Sequence, residues 1–432
     1  MKKTILIFCA SALTMLPFEI YGQNISLQEC VAKAMENNFS VKISKNNLSI
    51  AENNVTLAPF LPNLTLGSKQ TKYNYDIKTY DAYGIATDSK SDYNTLNANT
   101  SISWTLFDGF SMFATRDKQV ELLSQGEFRF RSTAENLVMN ISSQYFLIIS
   151  LQNQVKLLEE LVSISSERYS QALMRYKIGK DSGLESKQAK IYLNSDSSKL
   201  ILQQENVQNA YIKLFEMMNV PLNSPILIND TIIPEPLLSL DNLLNGAFKN
   251  NTSLLITKSG QKVSEIDLKL ARAARYPTLG FSASYNYNFT QSTLFPSRYN
   301  ETTGPNMGFS ISVPLFNGFE TNRKVANAKI GIQNSMLEYE QAKLSLEVDI
   351  RQEYNIYTKN LQLIGFEIES QEAAFLNLDA AIEKYRIGSL SGIEFRDFQL
   401  SYLDASVRKI SSLYQAKLSE ITLHLLAGEL FK

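Results

Sequence analysis

The chain has 432 residues, 42 of them basic and 43 acidic, with one histidine and two cysteines. Charge this even provides no basic face for a nucleic-acid partner. The one histidine, His424, and two isolated cysteines form no Cys/His metal spacing, and no phosphate loop or nucleophile–base pair is readable either.

Lys2 and Lys3, the apolar run from Thr4 to Leu16 and the small Gly22 read as an export signal over residues 1–23, cleaved after Gly22 or Gln23. The run is too short for a transmembrane helix, and no later stretch is long and apolar enough to be one. Phe8 before Cys9 spoils a lipoprotein site, so no lipid anchor is expected. Only Cys30 remains after export. It cannot form an intramolecular disulfide and is expected as a small buried residue on an early helix.

The first repeat spans 24–220. A helical stretch over 24–58 includes Leu27 to Asn38 with Ala34, and Pro59 and Pro62 follow it. A weakly patterned strand from Leu64 to Tyr75 comes next, then a polar loop at 78–92. In the next strand Leu96, Ala98, Ile102, Trp104 and Leu106 alternate with Asn97, Asn99, Ser101 and Ser103. Trp104 reads as an interfacial or lipid-facing ring. After Gly109, residues 110–178 carry no proline and repeat Leu137, Ile141, Phe146, Ile149, Leu157 and Leu161 at helical spacing. A helix that long spans roughly 100 Å. A half-length helix follows at 185–219, and the proline-rich stretch 221–239 is a linker.

The second repeat, 240–432, has the same order: a helix at 240–275, strands at Leu279–Thr290 and Met307–Leu315 flanking a polar loop at 292–303, a long helix at 319–387 and a half-length helix at 394–428. Ser101–Phe110 returns as Ser310–Phe319 with seven of ten residues identical. Tyr176-Lys177-Ile178-Gly179 returns as Tyr385-Arg386-Ile387-Gly388, also 209 residues on. In each half the two short helical stretches together nearly match the long one in length, which predicts a wall of uniform height.

Alternating apolar and small polar residues are expected of a barrel with lipid outside and water inside. Four strands leave open edges that lipid cannot satisfy, so several chains must contribute to one barrel. The predicted fold class is an α+β membrane protein, a long α-helical barrel continuous with a transmembrane β-barrel, four strands per chain, with an internal two-fold repeat.

On these residues the chain resembles the TolC-like outer-membrane efflux proteins. The resemblance rests on Leu106-Phe107-Asp108-Gly109 and Leu315-Phe316-Asn317-Gly318 at strand–helix junctions and on the paired Tyr-x-Ile-Gly turns. It implies a homotrimer in the bacterial outer membrane that extends into the periplasm. There it would meet a periplasmic adaptor and an inner-membrane pump of RND or ABC type, as the duct of a tripartite efflux or type I secretion system. The tips, Tyr176, Gly179, Gly183, Gly388 and Gly392, would dock the adaptor. Tyr385 and Glu185 would hold the periplasmic mouth shut, and Glu394 and Asp397, three residues apart on one helix face, would line the constriction. Where the family often has a basic residue two after the second tip glycine, this chain has Leu390. No enzyme activity and no cofactor is expected. A trimeric coiled-coil adhesin is the alternative, but sustained heptads without hairpins would mark it. A porin would have little helix.

Overall fold

The computed structural model describes residues 23–293 and 298–430. The predicted signal, up to residue 22, lies outside them. In the first half, β1 (Gln23–Asn24), α1 (Leu27–Asn37) and α2 (Phe39–Asn54) precede β2 (Asn63–Tyr80), β3 (Ala86–Asp108), α3 (Ser111–Lys177) and α4 (Leu184–Met218). The second half repeats the order: β4 (Ile226–Leu227), α5 (Leu240–Asn250), α6 (Thr252–Ala273), β5 (Thr278–Ser292), β6 (Tyr299–Ser312), α7 (Glu320–Arg386) and α8 (Gly392–Ala427).

The two long helices, α3 and α7, have 67 residues each, roughly 100 Å at the α-helical rise. Each begins after two successive left-handed residues, Gly109-Phe110 and Gly318-Phe319. Asp108 Oδ1 accepts from Met112 N–H at 3.1 Å, and Asn317 Oδ1 from Thr321 N–H at 3.5 Å. That capping explains why an Asp or Asn precedes the glycine in both junctions. A side chain at Gly109 would collide with the Ala273 carbonyl.

Along α3 run α2 and then α4, and along α7 run α6 and then α8. The short pieces thus stack end to end against the long ones, as the lengths predict. The early stretches are not single helices, however. Each breaks at an asparagine, Asn38 or Asn251. Asn38 Oδ1 caps α2 through Ser40 N–H (2.8 Å) and its amide donates to Met217 O (2.8 Å). Asn251 does the same with Leu254 N–H and Leu426 O, both at 3.0 Å. Each asparagine starts one helix and ties it to the end of the half-length helix of the same repeat, α4 or α8.

The four long strands form one antiparallel sheet in the order β2-β3-β5-β6. One face carries rows such as Leu64–Ile102–Ala283–Met307 and Trp104–Phe281–Phe309. The other carries Thr65–Ser101–Ser284–Asn306 and Gly67–Asn99–Asn286–Gly304. The apolar band from Leu279 to Phe289 is about 25 Å tall at the usual barrel tilt. Among the described residues both β2 and β6 leave an edge unpaired, and Pro305 sits on β6, where a missing N–H is tolerated. Trp104 Nε1 donates to the Phe60 carbonyl (2.9 Å), which fixes the ring at one end of the apolar band.

The strands extend beyond the predicted limits. Most of the expected loop at 78–92 is paired strand, with Lys78–Asp88 and Lys90–Asp76 bridges, and only 81–85 turn. In the second hairpin β6 begins at Tyr299, and Leu294 to Ser297 lie outside the described residues. At the other end β6 stops at Ser312, so Val313 and Leu315 lie past the strand. The stretch 221–239 contributes β4, which pairs in parallel with β1. Around that pair, α1, α3 and α4 bury Cys30, Ile141, Tyr145, Ile148, Leu214 and Met218. Burial raises the Cys30 thiol to about 11, as suits a small core residue.

Candidate functional site

The end of the molecule opposite the sheet is built from two helical turns, 178–183 and 387–391. Gly179 and Gly388 have positive φ, as a helix stop there requires, and so does Gly183, the residue before the first turn of α4. Gly183 lies against the Tyr176 ring, where a Cβ would come within 2.8 Å. Gly392 has ordinary φ. It is buried because Arg168 and Glu185 pass directly over it, and any side chain there would strike both.

Glu185 and Tyr385 meet as expected: the phenol donates to Glu185 Oε1 at 3.1 Å. Tyr385 is buried, and burial followed by the Glu185 charge pushes its pKa up. Glu185 Oε1 also accepts from Arg168 Nη2 at 2.9 Å. The Arg168 guanidinium is almost fully buried among Tyr192, Phe395 and Tyr385, 5.2, 5.5 and 5.6 Å from their ring centroids. Its Nε and Nη1 have no acceptor among the described residues, and the surrounding rings provide cation–π stabilisation instead. Arg175 crosses from α3 to donate to the carbonyls of Tyr385 and Arg386 at 2.5 and 3.2 Å.

One to two turns above lies a second buried knot. Arg396 holds Asp196 with two hydrogen bonds of 2.6 and 2.8 Å. Ser165 Oγ donates to the same carboxylate (2.7 Å), and Gln399 donates to Ser165 Oγ (2.9 Å). Both charges are at least nine-tenths buried. The knot binds α3, α4 and α8 together, and the Glu185–Tyr385 contact adds α7.

Glu394 and Asp397 are not part of this network. Both are exposed, on the face of α8 opposite the buried Phe395, Arg396 and Gln399. Glu394 completes a capping box with Ser391: its carboxylate accepts from the Ser391 hydroxyl (2.7 Å) and N–H (3.0 Å). Those two bonds hold its pKa below the ordinary carboxylate value.

Ser165, Arg168, Asp196, Arg396 and Gln399 escape a reading based on the repeat, because the repeat breaks at Arg168 and Asp196. At the 209-residue offset Arg168 answers to Asn377, Asp196 to Ala405 and Arg396 to Lys187. For Arg168 and Asp196 a charge on a helix's core face in one half alone was the available signal, while at Arg396 both halves carry a basic residue. Away from the tips, Glu235, Glu420 and His424 are the only group of metal-ligating side chains gathered within reach of one ion among the described residues.

Residues 30–220 and 243–429 match the family described as outer membrane efflux protein. The chain belongs to the outer membrane efflux protein family. The outer membrane protein TolC of Vibrio cholerae serotype O1 is 21% identical over all of this chain and 96% of its own length. TolC of Escherichia coli strain K12 is 20% identical over 87% of this chain and 76% of its own. Among solved structures, the Campylobacter jejuni CmeC outer membrane channel superposes with a TM-score of 0.77 at 16% identity, covering 93% of this chain and 85% of that one. As an outer membrane efflux protein, this chain is an export duct of the bacterial outer membrane whose helices extend into the periplasm. The family is one of ducts, not of enzymes, and membership favours the duct over the adhesin.

Proposed function

We propose that three copies of this chain close one conduit, with 12 strands in the outer membrane and a helical tunnel below. The observation that carries this reading is the open four-stranded sheet, apolar on one face and lined by Ser, Thr, Asn and Gly on the other, with both edges free among the described residues. Lipid cannot satisfy a free edge, so β2 of one copy pairs with β6 of the next. The chain reads as repeats 24–220 and 240–432 joined by 221–239, and the family matches it in two corresponding segments. The turns around Tyr176, Gly179, Gly183, Gly388 and Gly392 dock a periplasmic adaptor, which couples the duct to an inner-membrane pump of RND or ABC type. Tyr385 and Glu185, braced by Arg168, hold the mouth shut, while Glu394 and Asp397 face the passage. Sedimentation of the purified protein in density-matched detergent is expected to give three copies per particle. A monodisperse monomer would overturn the shared barrel.

A further inference from the structure

The best-defined chemistry outside the tips lies where the linker crosses α8. Glu420 and His424 are one turn apart on that helix, so their side chains share a face. Glu235 reaches them from the linker. One ligand atom from each of the three lies within 4.8 Å of the others. His424 Nε2 and Glu235 Oε2 are 3.6 Å apart, too far for a hydrogen bond. Two ligands on one tetrahedral zinc ion, with bonds of roughly 2.0–2.2 Å, stand about 3.4 Å apart.

We propose that Glu235, Glu420 and His424 form a site for a divalent transition-metal ion of the zinc class, which clamps the linker to the last helix. The proposal does not depend on the number of copies in the duct or on the gate.

The ligands are held before any ion arrives. Glu420 is buried, and its Oε2 accepts from the Glu235 backbone N–H at 2.8 Å. Tyr357 donates to the carbonyls of Glu235 and Pro236 at 2.9 and 3.0 Å, which fixes the linker backbone at this point. Lys417 donates to Glu420 Oε1 at 2.5 Å and orients that carboxylate. Each carboxylate oxygen has a second lone pair, so these bonds leave room for coordination. Two carboxylates and one ammonium give the cluster a net charge of −1 with a neutral imidazole.

The donor set selects the ion. Calcium and magnesium prefer six or more oxygen ligands, which two carboxylates do not supply. One imidazole nitrogen with two carboxylate oxygens and a water in the fourth position suits zinc. His424 has its place in this reading as the one nitrogen ligand, and Glu235 adds a side-chain link to the backbone bonds that already hold the linker there.

The test uses the full chain in detergent, stripped with a chelator and titrated with zinc chloride, with binding followed by calorimetry. Cobalt(II) serves as the spectroscopic probe, because tetrahedral coordination gives intense visible bands. Wild-type protein is expected to bind one zinc per chain and show those bands. His424→Ala and Glu235→Gln are each expected to weaken binding by at least about tenfold, as lost metal-site groups do, and to lose the bands. Glu235 is half exposed, so its variant keeps the fold if the histidine variant does not. Zinc binding no stronger in wild type than in Glu235→Gln, or magnesium competing on equal terms, would overturn the site.

Discussion

Glu185 and Glu394 hold equivalent places in the two repeats, six residues past a tip glycine, yet they make different bonds. In the second half Ser391 caps α8, and Glu394 closes the capping box. In the first half the cap is Gly183, which has no side chain to offer, and Glu185 turns instead to Arg168 and Tyr385. The buried charges near them make a sharp test. Removing one partner of a buried ion pair strands the other and costs about 3–5 kcal/mol. Asp196→Ala is therefore expected to lower the midpoint of heat-induced loss of helical circular dichroism. Asp196→Ala combined with Arg396→Leu is expected to recover most of that loss, because an apolar pair leaves no stranded charge. Additive losses in the double variant would mean that the two side chains act independently.

The long helices were legible almost to the residue: 110–178 and 319–387 against Ser111–Lys177 and Glu320–Arg386. Their ends carry strong local chemistry, a left-handed Gly-Phe pair at one end and an Ile-Gly stop at the other. The breaks at Asn38 and Asn251 were not legible within the long helical stretches. Each asparagine restarts the helix at once, so the apolar period passes through almost unbroken. The hairpin tips were drawn too wide because strands beyond the membrane have water on both faces and lose the alternation that reveals a strand. The Asn251 tie can be weighed by substitution. Asn251→Ala removes the cap of α6 and the bond to Leu426, which should destabilise the chain by about 1–2 kcal/mol. Asn251→Asp keeps the cap but gives up the donor, and is expected to fall in between. Thermal midpoints of the two variants in the same detergent separate these contributions, and equal loss would place the whole effect in the cross-helix bond.

At the scale of the whole molecule, Glu394 and Asp397 matter only if copies surround a passage. In a trimer they would give two stacked rings of three carboxylates near the periplasmic mouth, a negative constriction that admits cations and holds multivalent ones. The competing explanation is that Glu394 serves only the first turn of α8, where its capping box and the helix dipole both favour an acid. Gln at the same position completes a capping box equally well. Glu394→Gln with Asp397→Asn thus keeps the helix start and removes only the charge. In planar bilayers the wild-type channel is expected to be cation-selective and blocked by multivalent cations, and the double variant to lose much of both. Because the Ser391 bonds hold the Glu394 pKa below its ordinary value, the wild-type selectivity from that ring should survive as pH falls through the usual carboxylate range. It should fade only once pH passes the lowered value. Tyr385→Phe acts elsewhere: it removes the bond from α7 to Glu185, which keeps its bond to Arg168, without changing the rings, so resting conductance should rise while selectivity stays. If the double variant conducts with wild-type selectivity, these acids are surface charge and the passage is lined by something else.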